Sequence, residues 1–203
     1  MTEIRPIISL TGMPGCGKSL VGEELSRLLS CSWADLDRAV EAAAGKTIPQ
    51  IFRDGGEPAF RALEATVLES VISTDLKSVI STDLKSVIST ERSEWRNLPS
   101  SLILSLGGGT ILSPGNQALI LEHTTCIYLC ATPAELLDNI KAQSSVQRPL
   151  LGAPTEESLA ALLQQRAPAY SKAHLSVETA WRTPLEIAKE IVAKLRLPAP
   201  GCL

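Results

Sequence analysis

Gly12-Met13-Pro14-Gly15-Cys16-Gly17-Lys18-Ser19 follows directly on the apolar run Ile7-Ile8-Ser9-Leu10, and this junction constrains the fold more than any other stretch of the chain. A buried strand has to end there and a helix begin. The glycines let backbone N–H groups turn inward on an anion, and the helix N-terminus adds partial positive charge. In the spacing G-x-x-x-x-G-K-S, Lys18 is expected to reach the β- and γ-phosphates of a nucleotide and the Ser19 hydroxyl to ligate Mg²⁺. A glycine-rich turn with a stray lysine is the alternative. The helix-like Val21-Gly22-Glu23-Glu24-Leu25-Ser26-Arg27-Leu28-Leu29 that follows argues against it.

A chain of 203 residues suits one domain with appendages. The net charge of -3, with no lysine- or arginine-rich block, leaves no electrostatic footprint for nucleic acid. No apolar stretch approaches the length of a membrane span, and residues 1–6 run straight into the first strand, so a cytoplasmic protein without membrane partners is expected. Five cysteines without a C-x-x-C pair read as reduced thiols rather than a metal site. His123 and His174 have no ligand-spaced partner, and surface or capping roles are expected for them.

Strand and helix patterns alternate. Strands are expected at 7–11, 32–34, 101–106 and 125–130, and helices at 18–29, 38–44, 115–122, 133–141, 156–165 and 184–195. Such alternation predicts an α/β fold with a parallel sheet wrapped by helices. The tail 197–203 is expected to fray.

One segment departs from this economy. Residues 75–82 read Asp-Leu-Lys-Ser-Val-Ile-Ser-Thr, residues 83–90 repeat them identically, and 67–74 are a degenerate earlier copy. Three octads are too few for a solenoid, so a local tandem duplication is the simpler account. An eight-residue period advances about 80° beyond two helical turns, so its apolar stripe winds around the axis and cannot stay on one core. A protruding insertion over about 67–90 is therefore expected.

Trp33-Ala34-Asp35-Leu36-Asp37 ends the second strand, and alternation on an extended backbone would put Asp35 and Asp37 on one side of the sheet's carboxyl edge. One acid could support Mg²⁺ and the other orient an acceptor hydroxyl; capping of the next helix would serve equally well for Asp37. Arg61 and Glu64 are three apart on a helical face and can pair, as a surface ion pair or to orient the guanidinium. Gly107-Gly108-Gly109 ends the strand Leu102-Ile103-Leu104-Ser105-Leu106, where a ligand could approach bare backbone. Arg148 lies in a loop after a helix and Arg166 near the end of another.

The phosphate loop, D-L-D, I-x-x-I-F-x-x-x-G-E-x-x-F-R-x-x-E, S-L-G-G-G, R-P-L-L and R-A-P-x-Y occur in the order seen in shikimate kinases. The resemblance runs from about residue 7 to 195, apart from the octads. It implies a three-layer α/β/α P-loop NTPase fold in a single domain over 1–196, with a lid loop and a substrate-binding helical region. It also implies ATP as co-substrate, Mg²⁺ as cofactor, shikimate as acceptor, and a monomer.

Carried onto this chain, the resemblance gives catalytic roles to Asp37, Lys18 and Arg148. It gives ATP binding to Gly12, Pro14, Gly15, Cys16, Gly17, Lys18, Ser19, Leu20, Arg148, Arg182 and Pro184. Asp37, Arg61, Gly108, Gly109 and Arg166 match shikimate contacts, the two arginines clamping its carboxylate. Ser19 and Asp35 match the Mg²⁺ site, with Ser105 supporting it. Phe52 and Phe60 would wall the pocket, and Glu64 would hold Arg61.

Lys141 stands where many members carry an arginine stacked on adenine, which would weaken nucleotide binding because an ammonium stacks less well than a guanidinium. The rival readings are a kinase for another small hydroxy acid or polyol, and a catalytically silent nucleotide-binding relative. A neutral acceptor would leave Arg61 and Arg166 without an anion, and the intact Lys18, Asp35, Asp37 and Arg148 argue against silence.

Overall fold

The computed structural model describes Arg5 and residues 7–73, 102–142, 154–179 and 181–197. Its strands are β1 (Ile7–Thr11), β2 (Ser32–Asp35), β3 (Leu102–Ser105), β4 (Thr124–Cys130) and β5 (Leu175–Glu178). Among the described residues they form one parallel sheet in the order β2-β3-β1-β4-β5. The helices are α1 (Lys18–Leu29), α2 (Leu36–Ala44), α3 (Ile48–Ser73), α4 (Pro114–His123), α5 (Pro133–Ala142), α6 (Glu156–Tyr170) and α7 (Pro184–Leu195).

β1 and β3 are buried throughout, as continuous apolar runs in a parallel sheet covered on both faces must be. Ile8, Leu10, Ile103, Leu104, Ile127 and Leu129 form the centre of the core, each stabilising the fold by about 1.5–3 kcal/mol on burial. α1 packs with α7, α5 with α6, and α3 with α2 and α4. Because β1 lies between β3 and β4, its C-terminal turn opens at the crevice where the strand order reverses. Open α/β sheets collect ligands at that position.

The fold is the parallel α/β fold expected, and several local expectations are corrected. Asp37 is not on the strand. β2 ends at Asp35, whose side-chain oxygen accepts from the Asp37 and Arg38 amides, so Asp35 is the cap of α2 and Asp37 belongs to its first turn. A four-residue strand followed at once by a capped helix overrides simple alternation. β5 was not anticipated, since an edge strand with only Val177 buried carries a weak apolar signal. α6 continues past Gln165 to Tyr170.

Residues 67–73, expected as the start of an insertion, are instead the end of α3, with Leu68 and Val71 buried in the core. The identical octads lie outside the described residues. Leu197, assigned to a frayed tail, donates its amide to Val192 O at 3.1 Å. His174 is half-buried, and its Nδ1 accepts the Cys126 amide at 2.9 Å, which anchors the segment entering β5.

Candidate active site

The phosphate loop connects β1 to α1 as its sequence demands. Gly12 sits where a Cβ would lie 2.7 Å from Leu129 O, and Gly17 takes a left-handed conformation at φ 89, so neither position tolerates a side chain readily. Lys18 is buried, its Nζ donating to Gly12 O and Met13 O, both at 3.0 Å. The ammonium is thus held over the loop by carbonyls of the loop itself. Leu20, by contrast, is exposed one residue beyond Ser19.

Ser19 Oγ donates to Asp35 Oδ2 at 2.6 Å, while Asp35 Oδ1 caps α2. The two oxygens of one carboxylate therefore do separate work: one fixes the helix and the other faces the loop. A hydroxyl and a carboxylate oxygen so placed are hard donors that suit Mg²⁺. Few protein ligands are needed, since this ion takes most of its shell from water and phosphate. Ser105 does not join them. It is buried, accepts from Trp33 Nε1 at 3.0 Å and donates to Lys18 O at 3.1 Å, which pins β2, β3 and the start of α1 together.

The triple glycine after β3 gathers the other half of the site. A Cβ on Gly107 would meet Asp37 Oδ1 at 2.8 Å and Glu64 Oε1 at 3.0 Å, one on Gly108 would meet Pro14 Cδ at 2.7 Å, and one on Gly109 would meet Arg61 Nη2 at 2.5 Å. Three consecutive residues thus abut an acid, the phosphate loop and an arginine. The Gly108 carbonyl is taken up by protein groups, accepting from Tyr170 Oη at 2.6 Å and Arg166 Nη1 at 3.3 Å. The glycines were expected to bare backbone to a ligand; their closeness here also lets side chains in.

Arg61 is aimed by three partners. Nη1 donates to Glu64 Oε2 at 2.8 Å, Nε and Nη2 to Glu57 Oε1, and the guanidinium lies 5.2 Å from the Phe60 ring centroid. Phe60 in turn packs on Phe52 with centroids 5.0 Å apart. Glu64 is fully buried, so its pairing with Arg61 is no surface ion pair. Its Oε1 accepts from Thr110 Oγ1 at 2.6 Å, so each oxygen of the buried carboxylate has a partner. The kink in α3 at Gly56, with φ 69, separates the part bearing Phe52 from the part bearing Arg61.

The Asp37 carboxyl is pushed up to about 6, chiefly because it is withdrawn from water and next because Asp35 repels a second negative charge. Lys18 acts in the opposite direction. That value suits a group asked to take a proton near neutral pH.

Arg148 lies outside the described residues. Arg182 points to its own neighbourhood, donating to Glu178 O and Glu186 O and pairing with Glu190. Pro184 is the first residue of α7, and Lys141 is exposed near the end of α5. Sequence reasoning missed Thr110 and Glu135. Thr110 carried no signal beyond following the glycines, whereas Thr132-Pro133-Ala134-Glu135 is a legible capping box, with Thr132 N donating to Glu135 Oε2 at 2.8 Å.

The family model for shikimate kinase matches residues 14–98 and 89–196. A shikimate kinase of Thermus thermophilus is 36% identical over 93% of this chain and 89% of its own length, and one of Rhodococcus jostii is 36% identical over 94% and 98%. Among solved structures, a shikimate kinase from Acinetobacter baumannii in complex with shikimate superposes with a TM-score of 0.77 at 28% identity. That match covers 95% of this chain and 93% of the other. The chain belongs to the shikimate kinase family.

Proposed function

We propose that this protein transfers the terminal phosphoryl group of ATP to a hydroxyl of shikimate, with the donor bound by residues 12–19 and the acceptor by Asp37, Arg61 and Arg166. The observation that carries the reading is the meeting of these three side chains on consecutive glycines beside the phosphate loop. Two guanidinium groups suit the planar carboxylate of the acceptor, and Arg61 is already oriented by Glu57 and Glu64.

Asp37 orients the attacking hydroxyl and takes its proton at Oδ1 or Oδ2 as the new O–P bond forms. Lys18 exchanges its loop carbonyls for phosphate oxygens and neutralises charge there. Ser19 and Asp35 are the residues that would hold Mg²⁺, which when bound screens the phosphate charge. Arg148 is assigned to the transferring group on the sequence alone. A monomeric, cytoplasmic setting belongs to the same reading; the free thiols of Cys16, Cys31, Cys126 and Cys130 suit a reducing compartment.

The test is a coupled assay of ADP release from the purified protein. Shikimate is expected to stimulate ATP consumption strongly, and a neutral polyol of similar size is not. Normal ATP binding without stimulation by shikimate would overturn the acceptor assignment.

A further inference from the structure

Arg61 sits between two carboxylates that differ in their access to water. The side chain of Glu64 is 1% exposed and that of Glu57 is 51% exposed. Breaking a pair with a buried acid is strongly destabilising, because the carboxylate left behind is neither hydrated nor paired, whereas an exposed acid simply returns to water. Of the two partners, Glu57 is the one that can let go.

A guanidinium binds a carboxylate bidentately along an edge that bears two parallel N–H groups. Along the Nε–Nη2 edge of Arg61 both donors are taken by one oxygen of Glu57, at 3.2 and 3.1 Å, and Nη1 is held by Glu64 Oε2 at 2.8 Å. Among the described residues, the Glu57 carboxylate has no hydrogen-bond partner but Arg61. An acceptor carboxylate that docks along the Nε–Nη2 edge must therefore displace Glu57. One that docks across Nη1 and Nη2 would share a single cation with two other carboxylates, and repulsion would drive out the exposed one.

The charge of the clamp leads to the same result. Arg61 and Arg166 bring two positive charges and Glu57 and Glu64 two negative ones, so the clamp is balanced before an acidic acceptor arrives. It is balanced again only if one acid withdraws as the acceptor enters, and Asp37 beside Gly107 makes an added negative charge less welcome still. The backbone leaves room for that withdrawal. Gly56, with φ 69, breaks α3 just before Glu57, and Pro58 follows, so Glu57 opens the second segment of the helix. Released from Arg61, its carboxylate stays in water beside a helix N-terminus, where negative charge is favoured.

We propose that Glu57 is an internal stand-in for the acceptor's carboxylate: it holds Arg61 before the acceptor enters and yields the guanidinium on binding, so that one carboxylate is exchanged for another. An uncharged acceptor offers nothing in exchange, which makes Glu57 a specificity-determining residue. This inference rests on the reading of shikimate as acceptor.

The test is calorimetric titration of the wild-type chain, Glu57→Gln and Glu57→Ala with shikimate and with its uncharged methyl ester. Both variants are expected to bind shikimate tighter by about 2- to 5-fold, the range of an exposed ion pair, and to bind the ester as the wild type does. Glu57→Gln keeps the shape of the side chain, so its gain decides the matter if Glu57→Ala disturbs the start of the helix segment. Unchanged or weaker shikimate affinity in Glu57→Gln overturns the proposal and leaves Glu57 as a brace for Arg61. Equal tightening of shikimate and ester overturns it too, because that reports only altered room. If none of the three proteins binds shikimate, the acceptor assignment falls and the exchange with it; wild-type binding without a gain in Glu57→Gln leaves that assignment standing.

Discussion

The guanidinium of Arg61 occupies the space in which a side chain on Gly109 would begin, with Nη2 2.5 Å from the position of a Cβ. Gly109 itself has φ -107 and ψ -5, which any residue adopts. The glycine is therefore required by the arginine and not by the backbone. Gly109→Ala is expected to fold and to bind ATP normally while displacing Arg61, raising KM for shikimate at least about tenfold, the weight of one charge-assisted hydrogen bond. Melting curves and initial rates read both quantities, and an unchanged KM would remove Arg61 from the acceptor clamp.

Asp37 links the site to pH. With its carboxyl pushed up to about 6 by burial and by Asp35, kcat/KM is expected to rise with pH through about 6 and level off above it. The folded protein holds a proton there that the unfolded chain has already released above about 4. The contribution of this group to stability is thus fully present below about 4 and lost as pH rises through about 6. Asp37→Asn should abolish turnover, leave ATP affinity nearly intact, and be more stable than the wild type at pH 7 by a margin that shrinks towards pH 4. A loss of ATP affinity equal to the loss of rate would make Asp37 a metal ligand instead.

Ser105 and Asp35 separate structure from metal binding. Because the Ser105 hydroxyl is spent on Trp33 and on Lys18 O, Ser105→Ala is expected to cost about 1–3 kcal/mol of stability by leaving the indole N–H unpaired, with the Mg²⁺ dependence of the rate unchanged. Asp35→Asn should raise the Mg²⁺ concentration needed for half-maximal rate. Titrations of activity with Mg²⁺ distinguish them; a shifted Mg²⁺ requirement in Ser105→Ala would return Ser105 to the metal site.

Deleting residues 75–90 tests whether the octads matter. The deletion starts beyond the end of α3 at Ser73 and stops short of β3 at Leu102. Shortening such a connection by about half changes loop-closure entropy by less than ~1 kcal/mol. The melting temperature should move by no more than a few degrees, and kcat should stay within about twofold. A large loss in either would assign the duplication a working role.

Much of the fold was legible because its signals are local. β1, α1, α5 and α7 lie where apolar runs, the phosphate-loop spacing and helix periodicity place them. β5 escaped because an edge strand needs only one buried side chain, and the extent of α3 was misjudged because the first octad copy was read together with its repeats as an insertion, whereas Leu68 and Val71 in it belong to the core.

The sequence by itself determined the chemistry present: a loop whose spacing suits an anion, and acids and arginines in an order that identified the family. The tertiary structure decided which of those groups act together. Asp35 and Asp37 are two residues apart, yet one caps a helix and faces Ser19 while the other lies against Gly107 with a perturbed carboxyl. Arg166 of α6 reaches the Gly108 carbonyl and Arg61 of α3 abuts Gly109 because both helices converge on the glycines at the carboxyl end of β3. Burial, repulsion and steric room are properties of that meeting, and no local pattern encodes them.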